Sequence, residues 1–217
     1  MHRGPHGPGP ARETALEQYR RRAGRYDFEV AAFEPIRAQA ITALHLQPGA
    51  TVLDVGCGTG LSFRMLRERI GGDGWVVGIE QSPDMLARAR ERVAQAHWPH
   101  VLLLCAPAAA AVIPGFADAA LFHLTHDILR DDEALANVLA HLKPGAHVVA
   151  SGLRWAPPWL WPANAFVMAA ALYSTTSLEG LDHAWDKLAS HLRHVQVRST
   201  LMGAMFIASG IYAPRMH

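Results

Sequence analysis

Apolar residues at Ile36, Ala40, Ile41 and Leu44 share one helical face, which predicts a helix from Glu34 to about Leu44. Gln47-Pro48-Gly49 then turns the chain into Thr51-Val52-Leu53-Asp54-Val55, a short β-branched run without polar alternation. Such a run suits a central parallel strand buried on both faces. Glycines follow at 56, 58 and 60, and a helix is predicted from Leu61 to Arg69. The rhythm then repeats. Trp75 to Ile79 reads as a strand with Glu80 at its carboxyl end. Ser82-Pro83 supplies an N-cap and a first-turn proline for a helix reaching about Gln95. Val101 to Cys105 and Ala117 to Phe122 read as the third and fourth strands. Asp132 to Leu142 reads as a helix, Lys143-Pro144-Gly145 as a turn, and His147 to Ser151 as the fifth strand.

Strands alternating with helices of this length predict a parallel, right-handed crossover sheet. The chain end breaks the pattern. A helix around Leu181 to Leu192 precedes two strand-like runs, Val195 to Leu201 and Ala204 to Tyr212. Met202-Gly203 is too short a link for a crossover helix, so these two strands must pair antiparallel. The expected fold is therefore α/β, a doubly wound, mostly parallel seven-stranded sheet (Rossmann-like) closed by a C-terminal antiparallel hairpin. Residues 1–11 hold three prolines and three glycines and are expected to be a disordered tail. Residues 12–217 form one domain in this reading. It includes a helical lid over 12–44, with a short charged helix from Glu13 to Gly24, and a Trp/Pro-rich cap over 154–176.

Composition narrows the function classes. Half of the 217 residues are apolar and the net charge is only +1, so no nucleic-acid partner is expected. Two cysteines, Cys57 and Cys105, make no disulfide framework and fit a reducing compartment. No apolar run of eighteen residues occurs, and no h-region follows the basic start. A cytoplasmic location without membrane contact is the expectation, as a monomer or a homodimer.

The sharpest chemical signal is Val52-Leu53-Asp54-Val55-Gly56-Cys57-Gly58-Thr59-Gly60, a glycine loop between a strand and a helix. Glycines there let the backbone turn tightly and approach a ligand, and the next helix presents free amides. Glu80 ends the following strand, where a carboxylate can accept both hydroxyl protons of a ribose. Asp54 beside the loop would repel a pyrophosphate but suits an ammonium group. That chemistry favours S-adenosylmethionine over a dinucleotide such as NAD. The spacing is also G-x-G-x-G, not the G-x-G-x-x-G of dinucleotide binders.

On these residues the chain resembles the class I S-adenosylmethionine-dependent methyltransferases. VLDVGCGTG at 52–60 is similar to their first motif and VVGIEQSPDML at 76–86 to their second. ALANVLAHLKPGAHVVASG at 134–152 resembles the corresponding helix, turn and strand of the small-molecule branch that includes quinone-biosynthesis enzymes. The resemblance implies that Asp54, Gly56 and Gly58 line the methionine part of the cofactor, that Glu80 holds the ribose, and that Gln81 lies beside the adenine. It implies that Tyr26 closes over the cofactor. Cys57, Gly60, Ala106, Pro107 and His123 complete the implied cofactor set. One departure stands out: family members often carry an aspartate after the third strand, where this chain has Cys105-Ala106-Pro107-Ala108. Losing one polar contact to adenine is expected to weaken binding by about 1–2 kcal/mol. A non-catalytic cofactor-binding protein on the same fold, or an NAD-dependent oxidoreductase, are the rival readings.

Methyl transfer requires alignment of the attacking atom and, for many oxygen nucleophiles, a base. The carboxyl end of the fourth strand nominates His126 with Asp127 as that base and His123 as a residue meeting cofactor and acceptor. His123-x2-His126-Asp127 and His191-x2-His194 lack a third ligand at suitable spacing, so no metal is expected. Cys57 reads as a small loop residue. Arg154-Trp155-Ala156-Pro157-Pro158-Trp159-Leu160-Trp161-Pro162, ahead of the apolar run Ala163 to Tyr173, reads as a stiff cap over a small apolar acceptor. Thr175, Thr176 and Glu179 are expected at its edge. Trp159 and Trp161 also suit a membrane-surface anchor, but the accompanying lysines and arginines are missing.

Overall fold

In the computed structural model, residues 33–174 and 180–214 are described. The tail, the helix expected at Glu13 to Gly24, Tyr26, and the cap residues Thr175, Thr176 and Glu179 lie outside them. Helix α1 (Glu34–Ala43) leads into β1 (Thr51–Val55), α2 (Phe63–Ile70), β2 (Trp75–Glu80), α3 (Pro83–Gln95) and β3 (Val101–Cys105). Then come β4 (Ala117–His123), α4 (His126–Arg130), α5 (Asp132–Ala140), β5 (Leu142–Leu153) and α6 (Trp161–Ser174). A one-turn α7 (Asp186–Ala189), β6 (Leu192–Thr200) and β7 (Met205–Tyr212) close the order.

The seven strands form one sheet in the order β3-β2-β1-β4-β5-β7-β6. All pairs from β3 to β5 are parallel, and β7 runs antiparallel to both of its neighbours. The absence of alternation in the central strands has a direct cause. Val52, Val76, Leu121 and Val149 face one core layer under α1, α2 and α3. Leu53, Val77, Phe122 and Val148 face the other, with Leu129 of α4 and Leu135 of α5. The order reverses between β1 and β4, so the carboxyl ends of these two strands flank the crevice where such sheets hold ligands.

Three local expectations change. The Lys143-Pro144-Gly145 turn lies inside β5 as a bulge. Ala117 pairs with Leu142 but Ala119 with His147, and Gly145 takes a φ of 88°. Because Leu142 is committed to β4, α5 stops at Ala140, short of the expected Leu142. The helix expected over Leu181 to Leu192 resolves into a 3-10 turn, Leu181–His183, and α7. Leu181, Ala184 and Leu188 still reach the core, while Leu192 already pairs with Tyr212. Edge strand β6 is largely exposed and broken in register between Arg193 and Gln196, which discourages pairing with another chain. Among the described residues, no helix is long and apolar enough to cross a membrane.

Candidate functional site

The glycine loop is folded back under its own sheet. Gly56 and Cys57 both donate their N–H to the Ile79 carbonyl, at 2.8 and 3.0 Å, and Gly60 donates to the Cys57 carbonyl. Gly56, Gly58 and Gly60 have φ of 71°, 56° and 77°, the left-handed region a side chain disfavours. A Cβ on Gly56 would also lie 2.5 Å from Cγ2 of Thr125, just ahead of α4. Gly56→Ala is therefore expected to lower stability by about 2–3 kcal/mol, a result that urea unfolding can check. Cys57 packs beneath the loop, where burial and the nearby Asp54 and Glu80 hold its thiol well above the usual range. It is a packing group, not a nucleophile.

Glu80 is held rather than free. Its Oε2 accepts the Gly58 N–H at 3.1 Å and its Oε1 accepts the Ser82 N–H at 2.8 Å, so one carboxylate joins the loop to the start of α3. Burial raises its pKa and these amides lower it, with burial the larger effect. The Gln81 N–H also bears on this carboxylate, which keeps acceptor capacity for a further donor. Gln81 and Ala106-Pro107 are half-buried beside it, and the Ala106 N–H donates to the Glu80 carbonyl. The stretch lacking the usual aspartate is thus an ordered turn. Asn137 of α5 fixes it further by donating to the carbonyls of Ala108 and Ala111.

At the methionine end that the resemblance implies, Asp54 is 2% exposed and its Oδ2 has no hydrogen-bond partner among the described residues. Burial pushes its pKa up to about 7, against the opposing pull of Arg37 and a hydrogen bond from Ser62. Arg37 is a residue that sequence reasoning missed. It is 2% exposed on α1, paired to Glu34, with its Nε unpartnered. A signal was present, because Phe33, Arg37, Ile41 and Leu44 form one helical stripe and a guanidinium interrupts it. Arg37, Asp54, Gly56, Cys57, His123 and Leu124 line a small cavity of about 20 Å³.

The structure separates the two histidines after β4. His123 lines the cavity, and its Nδ1 lies 2.8 Å from Oγ of Ser151 on β5. Leu124 takes a φ of 59°, which reverses the chain and turns His126 away into the core. His126 is 1% exposed, with Nε2 on the Leu153 carbonyl at 3.0 Å and its ring edge-on to Phe206. Gly152 makes room for it, since a Cβ there would stand 2.6 Å from the His126 ring. Burial lowers the His126 pKa, so the ring is neutral and ties α4 to the end of β5. Neither His126 nor Asp127 is among the described residues lining the cavity, and this geometry gives His126 a packing role where a base was expected.

The cap is tethered at its root. The Asn164 side chain exchanges two hydrogen bonds with the Ala156 backbone, at 2.8 and 3.1 Å. Trp155 packs against the core, whereas Trp159 and Trp161 are 78% and 73% exposed. Only one of the three indoles is therefore part of a wall within the described chain. No group of three metal-ligating side chains is assembled among the described residues.

Comparison with known proteins gives the same kind of domain. Residues 52–145 match the family model described as a methyltransferase domain. Trans-aconitate 2-methyltransferase of Azoarcus sp. is 39% identical over 105 residues, 46% of this chain and 38% of that protein. The 2-phytyl-1,4-naphtoquinone methyltransferase of Thermosynechococcus vestitus is 42% identical over 65 residues, 30% of this chain and 28% of that protein. The chain thus spans less than half the length of these curated relatives. The crystal structure of the N-methyltransferase NodS from Bradyrhizobium japonicum, in complex with S-adenosyl-L-homocysteine, superposes with a TM-score of 0.66. That superposition covers 92% of this chain and 98% of the other at 15% identity, which shows a shared fold. Residues 52–145 thus carry a methyltransferase domain, and the chain as a whole shares the fold of the S-adenosyl-L-homocysteine-bound N-methyltransferase.

Proposed function

We propose that this chain, which carries the methyltransferase domain at residues 52–145, transfers a methyl group from S-adenosylmethionine to a small apolar or aromatic acceptor. The observation that carries the reading is the buried, unpartnered carboxylate oxygen of Asp54 in a cavity shared with the Arg37 guanidinium. An amino acid presents an ammonium and a carboxylate together, and these two side chains answer both. Glu80, with acceptor capacity left beside its amide partners, suits a ribose hydroxyl. The bound cofactor supplies a sulfonium methyl, an electrophile that needs alignment more than activation. In this reading Asp54 and Arg37 fix the methionine end and the loop excludes water beneath it. His123 meets the acceptor, while Trp155 and the cap shape the acceptor side. A cavity of about 20 Å³ admits roughly one water, so cofactor entry requires α1 or the loop after β4 to draw back.

Calorimetry with S-adenosylmethionine and with NAD tests this. Asp54 must be ionised to meet an ammonium group, and its pKa in the ligand-free chain is about 7. Affinity for S-adenosylmethionine is therefore expected to be about tenfold weaker at pH 6 than at pH 8, with no NAD binding at either. NAD binding alone, or an affinity flat across that range, overturns the reading. A non-catalytic cofactor-binding protein is the second reading, favoured by the missing carboxylate at Ala106-Pro107. Methyl transfer to any acceptor excludes it.

A further inference from the structure

We infer that Ser151 locks His123 as the neutral Nε2–H tautomer, so that the described site offers its acceptor a hydrogen-bond donor and, among oxygen acceptors, favours those already ionised. The inference deepens the methyltransferase reading and rests on it for the identity of the reaction. It begins with register: β4 and β5 set His123 directly opposite Ser151, and the ring Nδ1 lies 2.8 Å from the hydroxyl. Ser151 is fully buried, and His123 is the side-chain partner its hydroxyl has among the described residues. If Nδ1–H donated to Oγ, the serine O–H would be left buried without an acceptor, which is costly. The hydroxyl therefore donates to Nδ1, and the ring proton sits on Nε2.

Burial, with the positive field of Arg37, lowers the His123 pKa to about 3, so the ring stays neutral. Nε2 is shut off from solvent and has no partner among the described residues, in a residue that lines the same cavity as Asp54 and Arg37. The ring lone pair is spent on Ser151, and Asp54 is committed to an ammonium group. His126 is turned into the core. The described site thus holds a donor and a cation and lacks a free proton acceptor. A neutral alcohol or phenol finds no free base among the described residues lining the cavity to take its proton. A carboxylate, or an enol or phenol acidic enough to be ionised near neutral pH, needs no base. In the step that follows, its oxygen forms the O–C bond as the sulfonium C–S bond breaks and the electron pair returns to sulfur. The charges cancel and no proton is released. His123 contacts the acceptor oxygen, and Ser151 is a positioning residue.

Side-chain nitrogen NMR of the whole chain reads the tautomer directly, with no turnover required. The expected spectrum has a proton-bearing Nε2 and a bare Nδ1 at His123, unchanged between pH 5 and 9, and a mixture of tautomers in Ser151→Ala. A proton on Nδ1 in the unsubstituted chain overturns the inference, whether or not the variant folds. Benzoate and benzyl alcohol then serve as probes, with and without S-adenosylhomocysteine. Benzoate is expected to shift the His123 Nε2–H resonance and benzyl alcohol to leave it in place; an equal response, or none to benzoate, overturns the acceptor class. If S-adenosylhomocysteine itself fails to bind, the wider reading falls while the tautomer stands or falls on its own spectrum.

Discussion

Asp54→Asn is expected to raise the melting temperature of the ligand-free chain at pH 8 while weakening its hold on S-adenosylmethionine by about 100-fold or more. The two signs share one cause. The carboxylate is 2% exposed with an unpartnered oxygen, and burial pushes its pKa up to about 7. A folded pKa above the unfolded value of 3.8 means that the native state binds the extra proton. Stability therefore falls as the pH rises from about 4 towards 7 and stays at its lower level beyond. Asparagine removes that penalty, on the order of 4 kcal/mol, but also the attraction to Arg37, so a net gain of about 2 kcal/mol is expected, or roughly 4–8 °C in a domain of this size. The gain should shrink as the pH is lowered and vanish near pH 4. Thermal unfolding at several pH values, paired with calorimetry, measures both effects. A variant that merely distorts the loop would lose stability and affinity together. An NAD-binding chain would lose neither.

Much of this was legible because the central sheet is buried on both faces. Thr51–Val55 and Trp75–Glu80 need apolar, largely β-branched residues on both sides, and that requirement is written into them without ambiguity, whereas the edge strand Val101–Cys105 is apolar but only half-buried. The antiparallel closure was equally legible, since the link at Met202-Gly203 leaves no room for a crossover. The parts that the structure places otherwise than expected turn on single backbone angles or on distant partners. His126 follows a strand end, as an active-site residue would, but a φ of 59° at Leu124 rotates it into the core. Nothing in a leucine announces that angle. The end of α5 depends on Leu142 pairing with Ala117, 25 positions earlier in the chain. Arg37 differs, because the anomaly lay in the helical stripe itself; its meaning appeared only when β1 set Asp54 against it.

That electrostatic coupling across a shared cavity makes Arg37→Met the most informative companion substitution. Methionine keeps much of the apolar stem, so the change removes charge more than volume. Without the guanidinium, nothing comparable offsets the burial of Asp54, and its pKa must rise above about 7. At pH 7.5 a larger share of the population would then carry a protonated Asp54 than in the unsubstituted chain. The cofactor's ammonium would lose its ion partner just as its carboxylate loses Arg37. Affinity for S-adenosylmethionine is expected to fall about 100-fold or more, and the remaining binding should strengthen towards higher pH than in the unsubstituted chain. Stability responds in the opposite sense to Asp54→Asn. At pH 8 the single variant leaves a buried carboxylate without its cation and should lose about 2–4 kcal/mol, recovering part of this at pH 6 as Asp54 takes up a proton. Asparagine relieves a larger penalty once Arg37 is gone, so the double variant should melt at or above the unsubstituted chain and clearly above the sum of the two single changes. It should still fail to bind the cofactor. Additive stability changes in this cycle would mean that Arg37 and Asp54 do not sense each other, and the zwitterion-binding reading would go with them.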